Sequence, residues 1–290
     1  MKISASSYSF DQKLRTGELT QLDCIKKAKE MDFDAIELVG LATPEGMSCE
    51  EYADRLREEC EREMLPVSNY TVSADFLGGS GGDLDAEVER VCREVDIAVR
   101  LGAVSMRHDA GWGLPAGSPS YWGFADALPR MAEGCRRVTE YAAKRGVRTM
   151  CENHGLFAQD SERVEQLVRA VGHENFGLLA DMGNFLCADE SPAKAFGRIA
   201  SYVRYVHAKD FIVRDGERPD PGEGFFQTRA GTRLRGTIVG HGDVPVKPCL
   251  SVLKRAGFDG YVALEFEGPE DAYTALRIGL ANLRRYIAEL

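Results

Sequence analysis

Eight times along its 290 residues this chain passes from a short apolar run to a stretch whose apolar side chains return every three or four positions. The first kind of run suits a buried strand and the second an amphipathic helix. Strands are expected at Ile3 to Phe10, Ala35 to Val39, Pro66 to Phe76, Val104 to His108, Val147 to Glu152, Phe176 to Asp181, Val203 to His207 and Tyr261 to Phe266. Helical spacing follows each, as in Leu22, Ile25, Ala28 and Met31, or Leu128, Met131, Cys135, Val138 and Ala142. Eight strand-helix units are the number that closes into a (β/α)8 barrel, so residues 1–290 are expected to form one α/β domain. An open doubly wound sheet alternates in the same way, but no Gly-x-Gly-x-x-Gly turn follows the first strand to support a dinucleotide site. One segment breaks the rhythm. Phe211 to Pro245 is rich in glycine and proline and is expected to be a long mouth loop, a length that in a compact domain is usually functional or disordered.

The rest of the sequence narrows the setting. No apolar run approaches the roughly 20 residues needed to span a bilayer. Met1 to Tyr8 carries one lysine and no sustained apolar stretch, so it suits a first strand better than a signal peptide, and a cytoplasmic protein is expected. Eight cysteines occur without a Cys-x-x-Cys pair and fall mostly in periodic apolar segments, as reduced core thiols would. A net charge of −10 repels phosphate backbones, so no nucleic-acid partner is expected.

Four of the apolar runs end on ionisable residues: Glu152 in Met150-Cys-Glu-Asn-His154, Asp181 in Leu178-Leu-Ala-Asp181, His207 in Tyr205-Val-His207 and Glu265 in Ala263-Leu-Glu-Phe266. A buried charge at such a place needs a partner or a metal. Strand ends of a barrel open on one mouth, so residues distant in sequence converge there. Side-chain alternation puts Met150, Glu152 and His154 on one face, as it does Tyr205, His207 and Lys209, and Ala263, Glu265 and Glu267. Singly, a glutamate at a strand end is a solvated rim group and a histidine a hydrogen-bonded core residue. Together, crowded carboxylates repel, whereas three carboxylates and an imidazole suit a hard divalent cation. An internal echo joins Met31-Asp-Phe-Asp-Ala-Ile-Glu-Leu38 to the segment Gly257 to Glu265, each a helix stop feeding a strand that ends near glutamate.

On these motifs the chain resembles the xylose-isomerase-like TIM barrel superfamily, the sugar phosphate isomerase/epimerase group that includes ketose 3-epimerases, inosose dehydratases and hydroxypyruvate isomerases. The matching residues are Glu152 in Cys-Glu-Asn-His-Gly, Asp181 in Ala-Asp-Met-Gly-Asn, His207 in Val-His-Ala-Lys-Asp and Glu265 in Leu-Glu-Phe-Glu, with Gly-Phe-Asp-Gly before the last strand. The resemblance extends over nearly the whole chain. It implies one divalent ion, Mn2+ ahead of Mg2+ or Co2+, bound by Glu152, Asp181, His207 and Glu265. It also implies a small carbohydrate substrate flanked by Glu152 and Glu265 as catalytic carboxylates. Ketose epimerases of the group usually carry a glutamate six residues after the first ligand and a histidine three after the aspartate. Ala158 and Asn184 stand there in this chain, which points away from a free ketohexose. Lys209 resembles the lysine of the inosose-dehydratase branch, where it would stabilise an enolate or bind an anion; the alternative is an ion pair with Asp210 or a rim carboxylate. Expected substrate contacts are His154, Asn184, Lys209, His241 in its glycine-flanked turn, and Trp112. Arg218, Arg229, Arg233 and Arg235, with Phe225 and Phe226, would suit a lid.

A divalent ion that chelates a carbonyl and its neighbouring hydroxyl lowers the cost of removing the adjacent proton. Return of a proton from the opposite face epimerises, return to the next carbon isomerises, and loss of a β-hydroxyl dehydrates. The expected function is a metal-dependent isomerase or epimerase of a sugar, keto-sugar or polyol derivative. The alternative is a lyase: an inosose-type dehydratase, or a C-glycoside deglycosidase alpha subunit with a small beta partner. An abasic-site endonuclease would need more histidines than the five present and a different charge, and a non-catalytic barrel would not need the shell. A homo-oligomer is compatible with the size, although no surface stripe specifies one.

Overall fold

The computed structural model describes residues Met1–Leu290. Eight parallel strands close on themselves: β1 (Lys2–Ser6), β2 (Ala35–Val39), β3 (Val67–Val72), β4 (Ser105–His108), β5 (Arg148–Glu152), β6 (Phe176–Asp181), β7 (Val203–Ala208) and, after three excursion strands, β11 (Tyr261–Leu264). Closure is made where β1 meets β11, with Ile3 opposite Val262 and Ala5 opposite Leu264. Five of the helices around the barrel start on side-chain caps. Thr20 with Asp23 and Ser48 with Glu51 form capping boxes, and Asp83, Asp160 and Asp271 cap three more. The expected single-domain TIM barrel is therefore observed.

Alternation along the strands builds the interior in layers. Ile36 and Leu38 of β2 join the main hydrophobic core with the helix residues, while Met150, Leu179, Tyr205 and Ala263 make a separate small cluster. Each of those four lies two positions before one of Glu152, Asp181, His207 and Glu265. Period-two geometry therefore stacks the four ionisable side chains as the next layer toward the mouth.

Several boundaries differ from the sequence reading; the third strand, for one, ends at Val72 rather than Phe76. The first strand stops at Ser6 and turns through a 3-10 segment, Ser7–Phe10. The last ends at Leu264, so Glu265 lies one residue beyond it, its amide donating to the Ala208 carbonyl at 3.1 Å. The expected loop from Phe211 to Pro245 is mostly irregular but carries a small antiparallel sheet of β8 (Asp210–Arg214), β9 (Phe226–Gln227) and β10 (Arg233–Thr237), in the order β8-β10-β9. Phe211 and Leu234 are buried, and that burial holds a sheet together in a segment whose glycines and prolines mask its short strands. All eight cysteines are free thiols; Cys49 is exposed and Cys92 half-buried, the others buried. No helix is long and apolar enough to cross a membrane.

Candidate metal centre

Strands β5, β6 and β7 and the residue after β11 bring Glu152, Asp181, His207 and Glu265 together, with one donor atom from each lying within 4.8 Å of all the others. His207 is the hub. Its Nε2–H donates to the Glu37 carboxylate at 2.8 and 3.0 Å, which leaves Nδ1 facing inward. That atom lies 3.5 Å from Glu152 Oε1, 3.8 Å from Asp181 Oδ2 and 3.5 Å from Glu265 Oε2. His207 Nδ1, Asp181 Oδ2 and Glu265 Oε2 are buried without a hydrogen bond, the two oxygens having only ion-pair contact with Lys209. Such orphans are costly unless something occupies the point they share. Five buried carboxylates (Glu37, Asp109, Glu152, Asp181 and Glu265) surround Arg107, Lys209 and His207, the last raised well above its ordinary value because burial is outweighed by Glu37, Glu265 and Glu152, so carboxylates still outnumber cations in the cluster. Unpartnered imidazole nitrogen, converging carboxylate oxygens and net negative charge all fit a hard divalent cation.

The surroundings fix each side chain. Glu37 also accepts from Asn69 Nδ2 and Thr71 Oγ1, both at 2.8 Å, so it is held to orient the imidazole. Arg107, fully buried on β4, sets Nε 2.6 Å from Glu152 Oε2 and an η-nitrogen 2.9 Å from Asp109 Oδ1. Asn184 donates from its backbone to Asp181 Oδ1 at 2.8 Å and from Nδ2 to Glu152 Oε1 at 3.0 Å. Lys209 Nζ lies 2.6 Å from Glu265 Oε2, 3.3 Å from Asp181 Oδ2 and 3.4 Å from Glu267 Oε2.

These contacts set the charge states. Burial raises the Glu152 carboxyl, but Arg107 and then His207 outweigh it and hold the group below the usual carboxylate range. Burial likewise opposes ionisation of Glu265, and Lys209 and His207 overcome it. Asp181 goes the other way: burial pushes it up, and the Lys209 charge only partly offsets this. For Lys209 burial favours the neutral amine, yet Asp181, Glu265 and Glu267 prevail and keep it an ammonium.

The remaining expected residues are distributed unevenly. Asn184 and Lys209 belong to the cluster. The partner of Lys209 is not Asp210, which turns away to accept four backbone amides of the 211–244 segment. His154 is half-buried, its Nδ1 3.1 Å from Asp109 Oδ1 and its ring edge-on to the exposed Trp112 at 5.1 Å. His241 is exposed, and no hydrogen bond joins its imidazole to the four. The loop arginines are engaged locally, Arg233 with Asp220 at 3.6 Å and Arg235 with Glu270 at 3.7 Å and over the Phe225 ring. Sequence reasoning missed Glu37, Arg107 and Asp109. The signal for the first two was present: each is an ionisable residue inside an otherwise strand-forming run.

A family model of the xylose isomerase-like TIM barrel matches residues 25–286. An inosose dehydratase of Lacticaseibacillus casei is 26% identical over 144 residues, 49% of this chain and 48% of that protein. The chain thus spans about half the length of that curated relative. Among solved structures, one described as the probable 3-DHS dehydratase of petrobactin synthesis from Bacillus anthracis superposes with a TM-score of 0.75 at 19% identity, covering 98% of this chain and 99% of that one. An L-ribulose 3-epimerase gives 0.74 at 15% identity, covering 99% and 95%. At these identities the structural likeness is one of fold.

Proposed function

The chain belongs to the xylose isomerase-like TIM barrel family, and from that premise we propose that it is a divalent-metal-dependent enzyme that removes the proton next to the carbonyl of a polyol- or sugar-derived ketone. The observation that carries this reading is the convergence of His207 Nδ1, a buried nitrogen without a hydrogen-bond partner, with three carboxylate oxygens. A bound ion, with Mn2+ ahead of Mg2+ or Co2+, would be held by Glu152, Asp181, His207 and Glu265 and would polarise the substrate carbonyl.

The protein's own groups divide the remaining work. Glu152 is fixed by Arg107 on one oxygen and Asn184 on the other, so it orients rather than shuttles protons. Glu265 is the more open of the two carboxylates and has Lys209 beside it. Glu265 takes the proton from the carbon next to the carbonyl, and the freed electron pair forms the carbon–carbon double bond. As the neighbouring C–O bond breaks, Lys209 donates a proton to the departing hydroxyl, which leaves as water. Dehydration is accordingly the fate we favour, and the likeness to inosose dehydratases supports it. Isomerisation or epimerisation is the second reading, supported by the presence of two carboxylates, Glu152 and Glu265, at one centre. The clamp of Arg107 on Glu152 weighs against its serving as the second proton donor.

The test is turnover of a panel of polyol-derived ketones and keto-sugars in deuterated solvent, after chelation and again after adding Mn2+ or Co2+. A product lighter by one water supports dehydration, whereas equal mass with deuterium next to the carbonyl supports epimerisation or isomerisation. Undiminished activity after rigorous metal removal would overturn the metal reading. Replacing Lys209 by Met should abolish dehydration while leaving exchange of the carbon-bound proton detectable.

A further inference from the structure

At the end of the barrel opposite the metal centre, where the strands begin, lies a cavity of about 320 Å3. Arg148, the first residue of β5, and Arg204, the second of β7, line it, and no carboxylate does. Neither arginine has an acidic partner at ion-pair distance, although the chain carries 46 acidic residues against 36 basic ones. The Arg204 guanidinium is fixed by donating from one η-nitrogen to the Ser201 and Val203 carbonyls at 2.9 and 3.0 Å, which leaves its other nitrogens free. Its stem lies over Gly177, where a Cβ would come within 2.5 Å of Arg204 Cγ, so that glycine keeps the arginine in place. Burial first, and the charge of Arg148 second, hold Arg204 below its ordinary value, as expected of two cations placed together without an anion between them.

The inner wall is polar as well. The Ser68 hydroxyl lies 2.7 Å from both the Ser4 and the Tyr205 hydroxyls, and Ser105 Oγ donates to Asn69 Oδ1 at 2.8 Å. Barrel interiors are ordinarily filled by branched aliphatic side chains, and hydroxyls here line a pocket rather than pack it. Lys2 adds a third cation at the rim, with Nζ 5.8 Å from the centre of the Tyr261 ring that also borders the cavity. We propose that this cavity binds a small, multiply charged oxyanion of the phosphate type, with Arg148 and Arg204 as paired recognition groups. Guanidinium forks match such oxygens in geometry and charge. The site is independent of the metal centre and of the reaction proposed there.

The experiment is calorimetric titration of the full chain with inorganic phosphate, in buffer of constant ionic strength maintained with chloride. One saturable site per chain is expected. Substitutions Arg148→Ala and Arg204→Met should each weaken it about tenfold or more, as loss of a charge-assisted hydrogen bond predicts. Arg148 is exposed, so its replacement leaves the fold intact and keeps the test decisive. Absence of saturable binding above the chloride background would overturn the proposal. So would phosphate binding that survives both substitutions undiminished, since that would place the anion elsewhere on the chain.

Discussion

The histidine at the centre of the cluster is useful to a cation only while Nδ1 is its free nitrogen, and one carboxylate decides that. Glu37 accepts the hydrogen bond from Nε2–H and is itself anchored by Asn69 and Thr71. A glutamine at position 37 keeps the shape but loses the charge that makes the imidazole a strong donor. Mn2+ affinity in Glu37→Gln should fall about 10–100-fold, read by calorimetry, with little change in the fold. Unchanged affinity would mean that the imidazole is oriented by something else. A second histidine reports on acid stability. His108 is fully buried edge-on to Phe76, with Nδ1 donating to the Asp109 carbonyl, and burial lowers it to about 4. A base held below its unfolded value of about 6.5 leaves the unfolded chain binding the extra proton, so its contribution is complete above about pH 6.5 and lost as pH falls toward 4. The amount is at most about 3 kcal/mol. Urea unfolding of wild type and His108→Leu from about pH 7 to about pH 4.5 should show the wild type losing more stability; parallel pH slopes would exclude the desolvation argument. At this scale the four proposed ligands were legible because each ends an apolar run. Glu37 and Arg107 were not singled out because each lies within a strand, where the pattern alone leaves the identity of its partner open.

Among the elements, the excursion between β7 and the final helix-strand unit is the one that local patterning misjudged. Its strands are five residues or fewer, and glycines and prolines dominate any window that contains them. What organises it is a single buried side chain: Asp210 accepts from the amides of Phe211 at 2.9 Å, Gly240 at 2.8 Å, Gly242 at 2.9 Å and Val244 at 3.0 Å. Position 242 must be glycine for this to work, because a Cβ there would sit 2.2 Å from Asp210 Oδ1. Asp210→Ala strands the buried Phe211 and Val244 amides, at roughly 1–3 kcal/mol for each group left unpaired. A loss of about 2 kcal/mol or more in urea unfolding is expected, together with faster tryptic cleavage at Arg214 and Arg229. A variant as stable and as resistant as wild type would show that the small sheet, rather than the aspartate, holds the segment. The barrel elements themselves needed no such device to be legible, since capping residues and period-two runs agree with one another along the chain.

Taken as one molecule, the barrel is closed at its mouth by charges that come from six of its eight strand positions: Glu37 from β2, Arg107 from β4, Glu152, Asp181 and His207 from β5 to β7, and Glu265 after β11. The eightfold alternation made the closed fold readable, but no local pattern shows that carboxylates will outnumber cations inside it. On the proposed function, that excess makes cation binding a property expected of the whole fold, because the unfolded chain has no assembled site. Mn2+ at about a hundred times its dissociation constant should add about 2.7 kcal/mol of stability, or about 5–10 °C in thermal unfolding for a chain of this length. Asp181→Asn separates a metal site from a self-sufficient ion-pair network. Asp181 is the fully buried member whose carboxyl burial pushes up, so removing its charge relieves both desolvation and repulsion from Glu265 and Glu152. Lys209 keeps Glu265 and Glu267 as partners. The metal-free variant is therefore expected to melt at or above the metal-free wild type and to gain little from Mn2+, the usual exchange of function for stability at a strained site. If instead the variant melts lower and Mn2+ raises neither it nor wild type, Lys209 and a protonated His207 already balance the carboxylates, and the four side chains form a structural salt-bridge cluster rather than a cation site.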